Sequence, residues 1–246
     1  LNREQYRAQP AAQRVADTRH ADLLGDVIDV IVSDPDDRGP ERQLAADLSG
    51  RYGPYFVHLT SFDVRYSEKV RLFGHIYNDD GAEIGRVERS FGRENGFLVA
   101  DHDLLELDRQ AQGQGFSTAF YDELEDYYRR SDVDLIRIHA ALGVGGYAWA
   151  RRGFDWDPHR IAASFDNLRT RINALLGHAG VSDGDKNILR SIRDRLDVND
   201  VAAGWPAPRD LALLAGDSPD LGRKLLIGSN WYGVYPLTEK GGGYGG

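Results

Sequence analysis

The chain has 246 residues, 41% of them hydrophobic and 28% charged, with a formal charge of -9, no cysteine and no methionine. That is a globular composition with enough apolar material for one large core or two smaller ones. It excludes disulfides, thiolate metal sites and a cysteine nucleophile. The acidic balance argues against nucleic acid as a partner, because phosphate contacts are made by Lys and Arg. The longest apolar runs, such as Val27 to Val32, fall far short of the roughly 20 residues that span a bilayer. A start at Leu1 without any methionine predicts a piece of a longer protein, and 26 arginines against four lysines predict a GC-rich source.

Residues 1–53 read as helical. Val15, Leu23, Leu24, Val27, Ile28 and Ile31 fall near helical spacing, and the polar run Ser33 to Arg42 divides two helices. From Tyr55 the period changes to two, with β-branched and aromatic residues in the runs 55–66, 70–77, 83–91 and 96–107. Asn78 to Ala82 and Gly92 to Gly96 carry the Asp-Gly and Asn-Gly signals of tight turns, so these runs predict an antiparallel meander.

After the meander come the glycine-rich run Arg109 to Gly115, a helix with Phe116, Phe120, Leu124 and Tyr127 on one face, a strand over Val133 to Ala140, and a short helix closed by Gly153-Phe154. Strand, glycine turn, helix and strand form a crossover unit, which makes the flanking strands parallel. The expected class is α+β with a mixed sheet: an N-terminal helical part (1–53), a core (54–157) and a helical extension (158–246) with a mobile glycine-rich tail.

In the extension, Asp157 and Pro158 predict an N-cap and first helical residue. Ser182 and Asp185 form a capping-box pattern for the next helix. A short helix is expected from Pro208 to Leu214, and the run 225–237 returns as a strand or hairpin.

Glycines at a strand-to-helix turn let backbone N–H groups converge at a helix N-terminus, a cradle for anionic oxygens that needs no basic side chain. Gln110, Gly113 and Gly115 stand in the pattern Gln-x-x-Gly-x-Gly. This segment, with the order of elements around it and the Gly153-Phe154 pair, resembles the GNAT N-acetyltransferase superfamily over residues 55–157, about two fifths of the chain. The resemblance implies a GNAT-like fold that takes acetyl-CoA or CoA and transfers an acyl group to an amine. It implies that Gln110, Ala111, Gln112, Gly113, Gln114 and Gly115 hold the pyrophosphate, that the strand end around Leu105 pairs with the pantetheine arm, and that Arg109 lies within reach of a phosphate. The expected partners are a small-molecule thioester and an amine acceptor. The alternative is a non-catalytic GNAT-like domain that binds a protein partner.

Two positions depart from the family's pattern. The tyrosine that often protonates the departing thiolate is replaced by Trp149, and an asparagine seven residues earlier is Leu142. Tyr147 is the nearby phenol and a candidate catalytic group, though it sits about 200° round a helix from Trp149.

Fewer than one part in a thousand of an amine with pKa near 10.4 is deprotonated at pH 7, so acyl transfer needs a base. Asp101, His102, Asp103 and Glu106 lie on the strand that enters the loop, and alternation puts His102 and Glu106 on one face as the expected acid/base pair. The histidines show no ligand spacing, so no metal site is expected.

Overall fold

The computed structural model describes residues 24–34, 36–61, 69–141, 143–197 and 204–244. The predicted helical residues before Leu24, and Leu142, lie outside them. Two units divide the contacts, residues 1–136 with 236–242 and residues 137–235 with 243–246.

In the first unit the helix α1 (Leu24–Ser33) forms because its apolar residues repeat at helical spacing, and α2 (Gly39–Asp47) opens with Pro40 in its first turn. Leu24, Ile28 and Ile31 of α1 are buried, as are Leu44 and Ala45 of α2, and the helices lie against the sheet through β2 and β3. The strands β1 (Gly50–Tyr52), β2 (Tyr55–Ser61), β3 (Lys69–Tyr77), β4 (Glu83–Glu94) and β5 (Phe97–Leu107) pair antiparallel in chain order. The short β1 has too few residues to show a period, and sequence reading places it in the helical part.

The β4–β5 turn is made by Asn95 (φ 52°) and Gly96 (φ 83°), closing on the pair Glu94 and Phe97. Two consecutive left-handed residues are what a two-residue hairpin demands, and Asn-Gly supplies them at least cost. At the β3–β4 turn the Asn78 side chain accepts from Ala82 N at 2.9 Å.

Beyond β5 a 3₁₀ turn (Arg109–Ala111) leads to α3 (Phe116–Arg130) and then β6 (Leu135–Ala140). Phe116, Phe120, Leu124, Tyr127 and Tyr128 are buried, the face expected from their spacing. The starts of β5 and β6 are clasped: Asp134 N donates to Leu98 O at 2.9 Å, and Leu98 N donates to the Asp134 carboxylate at 2.7 Å. Strands joined start to start run parallel, as the crossover requires. The residues from Leu237 rejoin this unit, where Leu237 N donates to Asp134 O at 2.9 Å.

The second unit begins within β6. It contains α4 (Gly145–Arg152), β7 (Asp155–Trp156), α5 (Ile161–Leu176), α6 (Asp183–Arg195), α7 (Pro208–Ala212), α8 (Leu221–Leu226) and β8 (Trp231–Pro236). In sheet order β8 lies between β6 and β7. The core is aromatic: Trp156 meets Phe165 and Trp231 edge-on at 5.3 and 5.4 Å, and its indole N–H donates to Pro206 O. Gly153 (φ 99°) ends α4, and Phe154 turns back onto Trp149 at 4.8 Å.

Helix α5 starts three residues later than expected. Asp157 instead accepts from His159 N at 2.9 Å within a preceding turn, and Arg160 takes the N-cap position. The Ser182 cap forms as expected, accepting from Asp185 N at 3.1 Å. The terminal glycines do not read as a free tail where they are described: Gly241–Gly243 is a 3₁₀ turn, and Tyr244 is 8% exposed. No helix among the described residues is long and apolar enough to cross a membrane.

Candidate functional site

The loop between β5 and α3 has the geometry its composition predicts. Gly113 (φ 75°) and Gly115 (φ 83°) are both left-handed, and a Cβ on either would enter open space. Glycine is therefore required by backbone conformation, and the space before the loop stays clear. Gly115 is the N-cap of the 15-residue α3, no side chain caps it, and the first N–H groups of a helix have no intrahelical acceptor.

Gln112 and Gln114 fold back rather than outward: their amides donate to Leu107 O at 2.8 Å and Gln110 O at 3.0 Å. Ala111 is buried and its carbonyl accepts from the Tyr55 hydroxyl at 3.3 Å, while the Tyr55 ring packs on Phe116 at 5.6 Å. The loop is thus pinned from behind and presents main chain in front. That arrangement fits an anionic oxygen group such as a pyrophosphate. Arg109 is exposed at the start of the turn, and Leu105 lies opposite Val87 in the β4–β5 ladder.

His102 and Glu106 do not share a face. The β4–β5 register breaks between Glu88 and Ser90, so that Glu88 faces Leu104 while Ser90 faces Asp101. One extra residue on β5 reverses the alternation past that point. His102, 5% exposed, stacks on Tyr121 of α3 at 5.0 Å. Glu106 lies opposite Arg86 and binds it at 2.6 Å, with both side chains about half exposed. Tyr147 stands in the first turn of α4, in the second unit. Two phenols of α3 are unsuited to proton transfer at neutral pH: burial pushes Tyr127 up to about 12 and Tyr128 higher still.

Asp103 is placed differently. It lies at the rim of a cavity of about 210 Å³ lined by Arg71, Leu72, Phe73, Glu88 and Arg89, and Ser90 Oγ donates to it at 2.7 Å. Desolvation raises its pKa from the ordinary carboxylate value, with neighbouring Asp101 adding to the rise and the Ser90 hydrogen bond opposing it. The bulge that buries His102 gives Asp103 this setting. The buried Arg89 anchors the bulge, donating to Glu88 O at 2.7 Å and Leu104 O at 2.8 Å and lying over the Phe120 and Tyr121 rings. No period count along β5 locates that extra residue.

Meander, glycine loop, helix, parallel strand and second helix follow one another in the order of a GNAT-like fold. No family model matches the chain, and no curated protein matches it in sequence. Among solved structures, a glucosamine N-acetyltransferase region of a fungal multi-domain β-N-acetylglucosaminidase overlaps 49% of this chain and 13% of its own, at 18% identity and a TM-score of 0.26. A Klebsiella pneumoniae protein described as an acyl-CoA N-acyltransferase overlaps 40% of this chain and 82% of its own, at 15% identity and a TM-score of 0.28. A tandem GNAT protein from the clavulanic acid pathway overlaps 49% of this chain and 35% of its own, at 14% identity and a TM-score of 0.26. Overlaps of this size are partial, and no activity passes to this chain through them.

Proposed function

We propose that this chain carries an acyl-CoA-dependent N-acyltransferase domain. The observation that carries the reading is the pair of left-handed glycines, Gly113 and Gly115, ahead of an uncapped 15-residue helix in a Gln-x-x-Gly-x-Gly loop. In this reading the loop from Gln110 to Gly115 holds the pyrophosphate of acetyl-CoA or CoA through its backbone N–H groups. Arg109 adds a cation, and the end of β5 around Leu105 supports the pantetheine arm. The bound thioester supplies an electrophilic carbonyl.

The chain's own residues supply the acceptor side. An amine acceptor arrives protonated and must lose a proton before it attacks. Asp103 takes that proton: its carboxylate is exposed at the rim of the cavity, where an acceptor can reach it, and desolvation raises its pKa from the ordinary value. The acidic run 101–136, with ten acidic and three basic residues, favours a cationic acceptor. It also repels phosphates, so backbone donors rather than net charge must hold the thioester.

Release of free thiol from acetyl-CoA in the presence of a panel of primary amines tests the reading. Activity with at least one amine is expected, and Asp103→Asn should lower kcat by about 10²–10⁴-fold without changing acetyl-CoA affinity. Full activity in Asp103→Asn removes the base assigned here, and no thiol release with any amine removes the catalytic reading. A second reading, a GNAT-like domain that binds without catalysing, rests on Trp149. Its indole packs on Phe154, and it has no phenolic proton to give.

A further inference from the structure

A cavity of about 520 Å³ opens in the second unit, among α5, α6, α8 and the loops between them. Its size falls within the range of small-molecule sites, roughly 300–1,000 Å³. The floor is apolar. Leu189 and Leu221 are buried, and Leu175, Val181 and Ile227 are half-buried around them.

The polar groups on the wall are unequally committed. The two carboxylates are already supplied with donors: Asp185 by Ser218 and Asp217, and Asp220 by Lys224 at 3.0 Å. Lys224 also donates to Ser218 Oγ. Arg171 is fixed in place, with Nη2 donating to Lys224 O at 2.9 Å and Nε lying 3.4 Å from Leu225 O. His178 Nδ1 accepts from Gly180 N at 3.1 Å, which puts the ring proton on Nε2 and makes that nitrogen a donor. Arg223 is exposed and makes no side-chain hydrogen bond or ion pair among the described residues. Cations outnumber carboxylates on the wall, Arg171 bonds main-chain carbonyls rather than either Asp, and the apolar floor lies open beneath them.

We infer that this cavity binds an amphipathic carboxylate, with its apolar chain on Leu175, Val181, Leu189, Leu221 and Ile227 and its anionic head toward Arg171, His178 and Arg223. A planar guanidinium matches a carboxylate in geometry as well as charge. Desolvating the chain while the head keeps charged donors gives both parts of the ligand a favourable setting. The site lies in the second unit, and nothing in it depends on the acyl-CoA reading.

The test is an NMR titration of the whole chain with octanoate, compared with acetate, octanol and octylamine. Octanoate should bind saturably, with shifts centred on Leu175, Val181 and Ile227. Each of the other three should bind at least about tenfold more weakly, and Arg223→Glu should weaken octanoate by a similar factor. Arg223 has no side-chain hydrogen bond or ion pair among the described residues to lose, so the variant should keep the fold, which its unfolding curve checks. Equal binding of acetate would mean that charge alone is read, and equal binding of octanol or octylamine that the anion is not read. Either result overturns the proposal, as does unsaturable binding, a shift pattern elsewhere, or an unchanged affinity in Arg223→Glu.

Discussion

Asp134 is 5% exposed and uses both carboxylate oxygens. One accepts from Leu98 N at 2.7 Å and Lys240 Nζ at 2.9 Å, the other from Thr238 Oγ1 at 3.1 Å. A single carboxylate thereby ties β5, β6 and the returning segment 236–242 within the first unit. Removing it leaves a buried N–H without its acceptor, so Asp134→Ala should cost about 3 kcal/mol in denaturant unfolding and make residues 236–242 exchange amide protons faster than the rest. Equal exchange rates there would show that the segment is held by other contacts. Asp185 gives a pH prediction of definite sign. Donors from Ser218 lower its pKa in the folded chain, so it stabilises the fold above the ordinary carboxylate pKa of about 3.9, and that stability is lost as the pH falls through its folded pKa. Asp185→Asn should therefore lower stability at pH 7 and flatten its fall below pH ~4. Parallel stability curves for the two proteins would contradict this.

The elements differ in how openly they are written in the sequence. Asn95 and Gly96 stand where only left-handed residues close the hairpin, and the strands on either side pair in register from Glu94 and Phe97 to Ser90 and Asp101, up to the bulge. Those features are local, so residue type and period reveal them. The β4–β5 bulge depends on which residue faces which across two strands, and the N-cap of α5 on a competing turn at Asp157. Pairwise geometry of that kind leaves no trace in the spacing of one strand, which is why His102 and Glu106 read as neighbours and fold onto opposite faces. Two glycines of the meander separate the two kinds of demand. Gly96→Ala meets nothing and pays only for its positive φ, about 1–2 kcal/mol. Gly85→Ala drives a methyl into the Glu106 carbonyl and Leu107 side chain, opening the ladder that leads into the loop. The second should cost more in thermal unfolding and should also weaken acetyl-CoA binding; the reverse order would mean that the β4–β5 ladder yields easily.

For the whole molecule, the sequence carries the loop and the order of elements around it, because glycine requirements and hydrophobic periods are local. The return of residues 236–242 to the first unit joins positions more than a hundred residues apart, and no pattern announces it. Charge is uneven: residues 1–157 hold 29 acidic and 19 basic groups, and the remainder 10 and 11. An acidic domain that takes a polyanionic thioester must do so through fixed backbone donors, and this makes Gly113 the most direct point of attack. Calorimetric titration of the chain with acetyl-CoA should show saturable binding, and ligand at about a hundred times its dissociation constant should raise stability by roughly 2.7 kcal/mol. Gly113→Ala, which strains the backbone without adding charge, should retain measurable affinity, while Gly113→Asp should abolish binding by placing a carboxylate in the cradle. No heat at millimolar acetyl-CoA, or unchanged affinity in Gly113→Asp, would contradict the assignment of this loop.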